Sequence, residues 1–144
     1  MRNRISRYLY LVVAWLFVLG ILGQVYLVGL SLLGGRPSWE DHIGLGHMIG
    51  GFALLMIIFA YLGRLPRSMK RLTWLNFGIY FLIADIVIFM RDSAPKVAAL
   101  HPVLAIILFP VAGTLAIRIW LIVRAPQAEA VAAPTGPAIS TTAG

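Results

Sequence analysis

Four long apolar stretches constrain what this chain of 144 residues can fold into. They cover residues 8–33, 43–63, 72–90 and 102–123. Each has about 20 residues or somewhat more, the length that crosses a bilayer as an α-helix. The chain is 60% hydrophobic and only 12% charged, and a soluble domain carries about twice that share of charge. The pattern predicts an all-α integral membrane protein of four helices, with no room for a separate soluble catalytic domain.

The basic residues lie mostly on one side of these stretches. When alternate connections are assigned to alternate sides, one side receives Arg2, Arg4, Arg7, Arg64, Arg67, Lys70, Arg71 and Arg124. The other side receives Arg36, Arg91 and Lys96. Cytoplasmic loops carry the excess of Lys and Arg, so both termini are predicted to be cytoplasmic. The net charge of +7 then reflects membrane orientation, and no nucleic-acid partner is expected.

The connections between the stretches are short, which favours antiparallel neighbours. Residues 34–42, 64–71 and 91–101 form them, and residues 1–124 are therefore predicted to form an up-down-up-down transmembrane bundle. The first stretch is longer than the core of a signal peptide and is interpreted as a retained helix. Residues 125–144, rich in Ala, Pro, Thr and Gly, are predicted to be a disordered cytoplasmic tail.

Several polar residues of the apolar stretches belong to the side opposite the basic cluster. His42 and His47 lie at the start of the second helix, and His101 starts the fourth. Asp85 lies near the end of the third helix and Gln24 in the second half of the first. A carboxylate in the hydrocarbon region costs about 2.5–3.5 kcal/mol, so such groups usually face the bundle interior and find partners. We expect these residues to converge.

Two imidazoles from different helices are a donor set for a haem iron. His101 is the first predicted axial ligand, and His42 or His47 is the second. Asp85 or Gln24 could orient a ring through its other nitrogen. His42 and His47 are five residues apart, about 140° around a helix, so at most one haem b is expected.

Glycines surround the second-helix histidines, and they have two interpretations. Gly44, Gly46, Gly50 and Gly51 would let a flat macrocycle approach the backbone. Gly46 and Gly50 also form the small-xxx-small pattern of close helix packing. The tyrosines and tryptophans near the helix ends are interpreted as aromatic belts; they are Tyr8, Tyr10, Trp15, Trp39, Trp74 and Trp120.

Other chemistries have little support in the sequence. The chain has no cysteine, which excludes disulfides, thiolate clusters and cysteine nucleophiles. It has no metalloprotease, phosphate-loop or dinucleotide motif, and no serine lies in a nucleophile elbow. We therefore expect that the chain is not an enzyme on its own.

Three motifs resemble an uncharacterised family of small four-helix bacterial membrane proteins. They are Gln24 with Gly29, the run Trp39-Glu40-Asp41-His42-Ile43-Gly44-Leu45-Gly46, and Ala99-Leu100-His101-Pro102-Val103. The resemblance covers most of residues 8–124. The chain is also loosely similar to b-type membrane cytochromes. It implies four spans in the bacterial cytoplasmic membrane, and the family's histidine positions map onto His42 and His101. It implies no established activity.

Three functions remain open. The first is a small membrane protein that binds one haem b and transfers electrons near the outer face. The second is a non-catalytic accessory subunit of a larger membrane complex. The third is proton or small-solute transport by a homo-oligomer, because four helices enclose little space in a monomer. A zinc or copper site at His42, His101 and nearby acids is a further alternative.

Overall fold

The computed structural model describes residues 2–34 and 39–125. The predicted tail therefore lies outside the described residues, apart from Ala125. The described chain is helical, without strands, and the predicted all-α fold class is confirmed. Its helices are α1 (Arg2–Leu32), α2 (Trp39–Leu62), α3 (Arg67–Phe81), α4 (Pro95–Ala98) and α5 (His101–Arg124), with a π-helical segment (Leu82–Val87) between α3 and α4.

Three segments are long and apolar enough to cross a membrane: Asn3–Leu32, Trp39–Leu62 and Pro95–Arg124. In the most apolar 18-residue stretch of each, only 22–33% of the residues are buried inside the bundle. The remaining apolar surface faces outward. Its exposure to water would be unfavourable, whereas its contact with lipid would not. Tyr26, Leu32 and Ile106 are among the most exposed of these side chains. The surface is that of a membrane protein.

The third apolar stretch differs from the other three. Its α-helix ends at Phe81 and passes directly into the π-helical segment, while the backbone stays helical through Phe89. A π-helix is rare and usually marks a local insertion in an α-helix. The sequence predicted one regular helix over residues 72–90, and the interruption within it was not predicted. The short helix α4 in the loop that follows was also missed.

Successive long helices run antiparallel, as contacts at both ends show. Near one end, Arg7 Nε of α1 donates to the carbonyl oxygen of Gly63, just after α2 (2.9 Å). Near the other, Gln24 Nε2 of α1 donates to the carbonyl oxygen of His42 in α2 (2.9 Å). In the same way Tyr80, late in α3, donates to the carbonyl oxygen of Gly46, early in α2 (2.7 Å). The short connections predicted this arrangement.

Each long helix packs on two neighbours, in the order α1, α2, α3, α5 and back to α1. Aliphatic side chains and alanines fill the space between them, and Phe17, Met56, Leu115 and Ile119 are among the fully buried members. Small residues such as Ala53, Ala60, Ala112 and Ala116 are buried too. They allow helix axes to approach closely, which membrane helices need for van der Waals contact.

Tyr10 belongs to this core, and its assignment to an aromatic belt was wrong. Its side chain is 0% exposed, and its hydroxyl lies 2.6 Å from Thr73 Oγ1 of α3. The bond joins α1 and α3, which are diagonal in the four-helix arrangement. A buried hydroxyl requires a hydrogen-bond partner, and Thr73 supplies it. The interior of the bundle therefore contains a hydrogen-bonded pair of hydroxyl groups between α1 and α3.

The turn between α2 and α3 is tight. The amide of Leu65 bonds the carbonyl oxygen of Ala60, and the amide of Arg64 bonds that of Tyr61. This is the pattern of a helix that ends through a residue in the left-handed region. Arg64 takes that position with φ 49°. The turn places the last residues of α2 beside the first residues of α3.

Candidate functional site

His42 and His101 lie together between the diagonal helices α2 and α5. Their ring centroids are 6.1 Å apart, and the ring planes are tilted by 59°. Both residues are half-buried. Each lies in the first turn or two of its helix, and α2 and α5 both begin at the same end of the bundle. The sequence predicted a histidine pair here, with His42 or His47 as the partner of His101.

Neighbouring groups orient both rings. His101 Nδ1 lies 3.3 Å from the carbonyl oxygen of Ile83 in the π-helical segment, which leaves its Nε2 for another partner. The edge of the Trp39 ring faces His42, with 5.6 Å between ring centroids. His42 Nδ1 is buried and has no hydrogen-bond partner among the described residues. Within the described residues, His42 Nδ1 is therefore left for a partner from outside the bundle.

Gln24 reaches the same region but contacts the backbone rather than an imidazole. Its Nε2 donates to the carbonyl oxygen of His42, while its Oε1 is buried without a described partner. The bond secures the first turn of α2 against α1. An orienting role for Gln24 would thus act through the main chain of His42.

Gly46 and Gly50 do not form the open cradle that a macrocycle would need, whereas Gly44 and Gly51 have open space beside them. A Cβ at Gly50 would lie 2.6 Å from the Tyr80 hydroxyl, and a Cβ at Gly46 would lie 3.0 Å from Gln24 Nε2. Tyr80 also packs edge-on against Phe17 of α1, with 6.1 Å between ring centroids. Side chains of neighbouring helices therefore fill the space beside Gly46 and Gly50, as the packing interpretation predicts.

His47 and Asp85 lie apart from the histidine pair. Both side chains are exposed on the outside of the bundle, and the carbonyl of Ile83, not Asp85, faces His101. Asp85 lines a shallow depression of about 470 Å³ with Ala84, Ile86, Ile88 and Phe89. The expected convergence of polar groups thus holds for His42, His101 and Gln24 alone.

Sequence reasoning missed a second group of polar side chains inside the bundle. Asn76 of α3 is 1% exposed, and neither of its side-chain polar atoms has a described partner. It lies one helical turn from Thr73, which bonds Tyr10. The available signal was the spacing of Thr73, Asn76 and Tyr80, which places three polar residues on one helix face.

The donor set was tested against the haem b that the sequence predicted. His42 and His101 present two imidazoles from different helices with ring centroids 6.1 Å apart, a donor set of the kind that holds a haem iron. No three His, Cys, Asp or Glu residues come together anywhere in ranges 2–34 and 39–125. Bare ions usually take three or four protein ligands, whereas a haem needs only two axial ones. The donors fit a haem iron better than a bare ion, and Gly46 and Gly50 add no cradle.

The fold and the site define a small helical protein with membrane-spanning character and a histidine pair inside one end of the bundle. Residues 24–87 match the model of a family of unknown function, DUF6220. This confirms the resemblance to an uncharacterised family. The match begins at Gln24 and includes His42, and it ends before the motif around His101. No curated protein and no solved structure matches the chain.

Proposed function

We propose that this chain is a multi-pass protein of the bacterial cytoplasmic membrane, with four spans and both termini in the cytoplasm. Three apolar helices, the antiparallel contacts and the outward-facing apolar surface support the proposal. The fourth span would be α3 with its π-helical continuation. Described carboxylates are absent from the basic end, since Glu40, Asp41, Asp85 and Asp92 all lie in the other half. The excess of Lys and Arg at the basic end, rather than the position of the carboxylates, favours a cytoplasmic location for that end.

Within that membrane protein, we propose that His42 and His101 hold one haem b for electron transfer near the outer face. The observation that carries the proposal is the 6.1 Å separation of the two rings across the bundle. When bound, a haem b supplies reversible one-electron chemistry at its iron. The chain supplies two imidazoles, and the Ile83 carbonyl oxygen, near Nδ1, fixes the ring of His101.

The deciding experiment is a reduced-minus-oxidised visible spectrum of the protein, purified in mild detergent from a haem-replete host. We expect a b-type α-band that is lost in His42→Ala and in His101→Ala. His47→Ala is the matched control, because His47 is also a histidine of α2 but faces outward. It should keep the band. A featureless wild-type spectrum, or a band lost equally in all three variants, would contradict ligation by this pair.

A different observation favours a second function, that of a non-catalytic subunit in a larger membrane complex. The polar groups at the histidine end bond main-chain carbonyls of neighbouring helices, as Tyr80 does at Gly46 and Gln24 does at His42. Such bonds stabilise a bundle without any cofactor. In this case the wild-type protein is colourless, His101→Ala lowers its thermal stability, and other membrane proteins co-purify with it in fixed ratio.

A further inference from the structure

A depression of about 350 Å³ lies at the basic end, where α2 ends and α3 begins. Its lining residues are Tyr61, Arg67, Lys70, Arg71 and Trp74. The four from α3 follow the spacing i, i+3, i+4 and i+7, which places them on one face of the helix. Three cations and two aromatic rings thus surround a space that opens to the outside of the bundle.

The aromatic wall of the depression is fixed by its own contacts. Trp74 Nε1 donates to the Tyr61 hydroxyl (3.1 Å), and Lys70 Nζ lies 4.7 Å from the centroid of the Tyr61 ring. Tyrosine and tryptophan with one polar end and one apolar body are the residues that occupy the boundary between lipid headgroups and hydrocarbon. The depression has the chemistry of that boundary.

Among residues 2–34 and 39–125, no carboxylate forms an ion pair with these three cations. The ion pair between Arg91 and Asp92 lies beyond the far end of α3. Lys70 and Arg71 lie three and four residues after Arg67, so each of them repels Arg67 on the helix surface. The first turn of α3 also has no acidic residue and no side-chain cap. An anion bound from outside the chain would relieve this repulsion.

An aromatic strip connects the depression with the apolar surface of the bundle. Trp74 packs edge-on against Phe77 (5.9 Å between ring centroids), and Phe77 stacks on Phe81 (6.4 Å). Phe81 is exposed on the outside of α3. The strip continues from the charged pocket toward the middle of the apolar stretch, as an acyl chain would. A free phosphate ion would make no use of it.

From these observations we propose that the depression binds the headgroup of one anionic phospholipid, with an acyl chain along Trp74, Phe77 and Phe81. The inference rests on the proposed membrane location and is independent of haem binding. Arg and Lys contact the phosphodiester, arginine with its planar fork and lysine as a point charge. Each such cation near an anionic lipid surface changes binding about fivefold, so removal of all three is expected to lower it about 100-fold.

The test is native mass spectrometry of the full chain in mild detergent, with equal amounts of phosphatidylglycerol and phosphatidylcholine. We expect the wild type to retain one phosphatidylglycerol in preference. The triple variant Arg67→Gln, Lys70→Gln, Arg71→Gln should lose that preference. The matched control, Arg4→Gln, Arg118→Gln, Arg124→Gln, removes equal charge from the same end of the bundle and should keep it.

Three results would overturn the assignment. Equal losses in both triple variants would show diffuse attraction by the basic end, and no loss in either would show that the depression is not the site. Displacement of the lipid by excess inorganic phosphate would show a free-phosphate site. Carbonate extraction of whole membranes tests the membrane proposal separately, because a protein released by carbonate is not integral whatever lipid it binds in detergent.

Discussion

The hydrogen bond between Tyr10 and Thr73 predicts which of the two side chains, when substituted, destabilises the protein more. Thr73 Oγ1 lies 2.8 Å from the carbonyl oxygen of Met69, to which it donates, and 2.6 Å from the Tyr10 hydroxyl. A threonine hydroxyl has one proton. Because that proton goes to Met69, Tyr10 must be the donor in the bond to Thr73.

Because Tyr10 is the donor and Thr73 the acceptor, the two single variants should lose different amounts of stability. In Tyr10→Phe, Thr73 keeps its bond to Met69, so the loss is that of one net hydrogen bond, about 0.5–1.5 kcal/mol. In Thr73→Val, the hydroxyl of Tyr10 remains buried at 0% exposure without an acceptor, which costs about 1–3 kcal/mol. The double variant removes both polar groups and should recover part of the Thr73→Val loss.

The free energy of unfolding in detergent micelles, followed by circular dichroism during SDS titration, measures these differences. Thr114→Val is the matched control, since its hydroxyl bonds only the carbonyl oxygen of Pro110 in its own helix (2.8 Å). It should change stability by less than about 0.5 kcal/mol. A Tyr10→Phe loss as large as that of Thr73→Val, or no recovery in the double variant, would refute the assigned donor order.

Two further variants test the packing of α3. Asn76→Leu should raise the free energy of unfolding by about 1–3 kcal/mol, because it removes a buried amide without a partner among the described residues. A loss of stability in the same titration would show that the amide is bonded. Gly50→Ala should lower it by about 1–3 kcal/mol, since its Cβ would displace Tyr80 from the Gly46 carbonyl oxygen. Gly51→Ala is the matched control, because its Cβ would enter open space, and it should not lower the free energy of unfolding. Equal losses in the two variants would refute the contact between Gly50 and Tyr80.

The helices were predictable because a membrane span is a property of one continuous segment. About 20 apolar residues suffice, whatever the partner helices are. The observed helices begin earlier than predicted: α1 starts at Arg2 and α2 at Trp39. The apolar pattern marks the hydrocarbon region, while a helix continues into the polar flanks as long as its backbone bonds are satisfied. The π-helical segment leaves no trace in hydropathy, and it was not predicted.

The candidate site was predictable only in part. The sequence placed His42, His101 and Gln24 at one end, because span order fixes depth. It could not choose between His42 and His47, which differ in the face of α2 that they occupy. Asp85 was expected inside the bundle, and it is exposed beside the π-helical segment. A π-helical turn changes the rotation of the residues that follow it, so the face of Asp85 depends on a feature that hydropathy does not contain.

The sequence by itself determined the helical class, the antiparallel order and the separation of basic from acidic ends. These follow from segment length, loop length and charge, which are local quantities. The tertiary structure decided which polar side chains meet: His42 with His101 across one diagonal, and Tyr10 with Thr73 across the other. Hydropathy is nearly uniform around a membrane helix, so it does not indicate the inward face. Only packing between the helices fixes helix rotation, and rotation selects the partners.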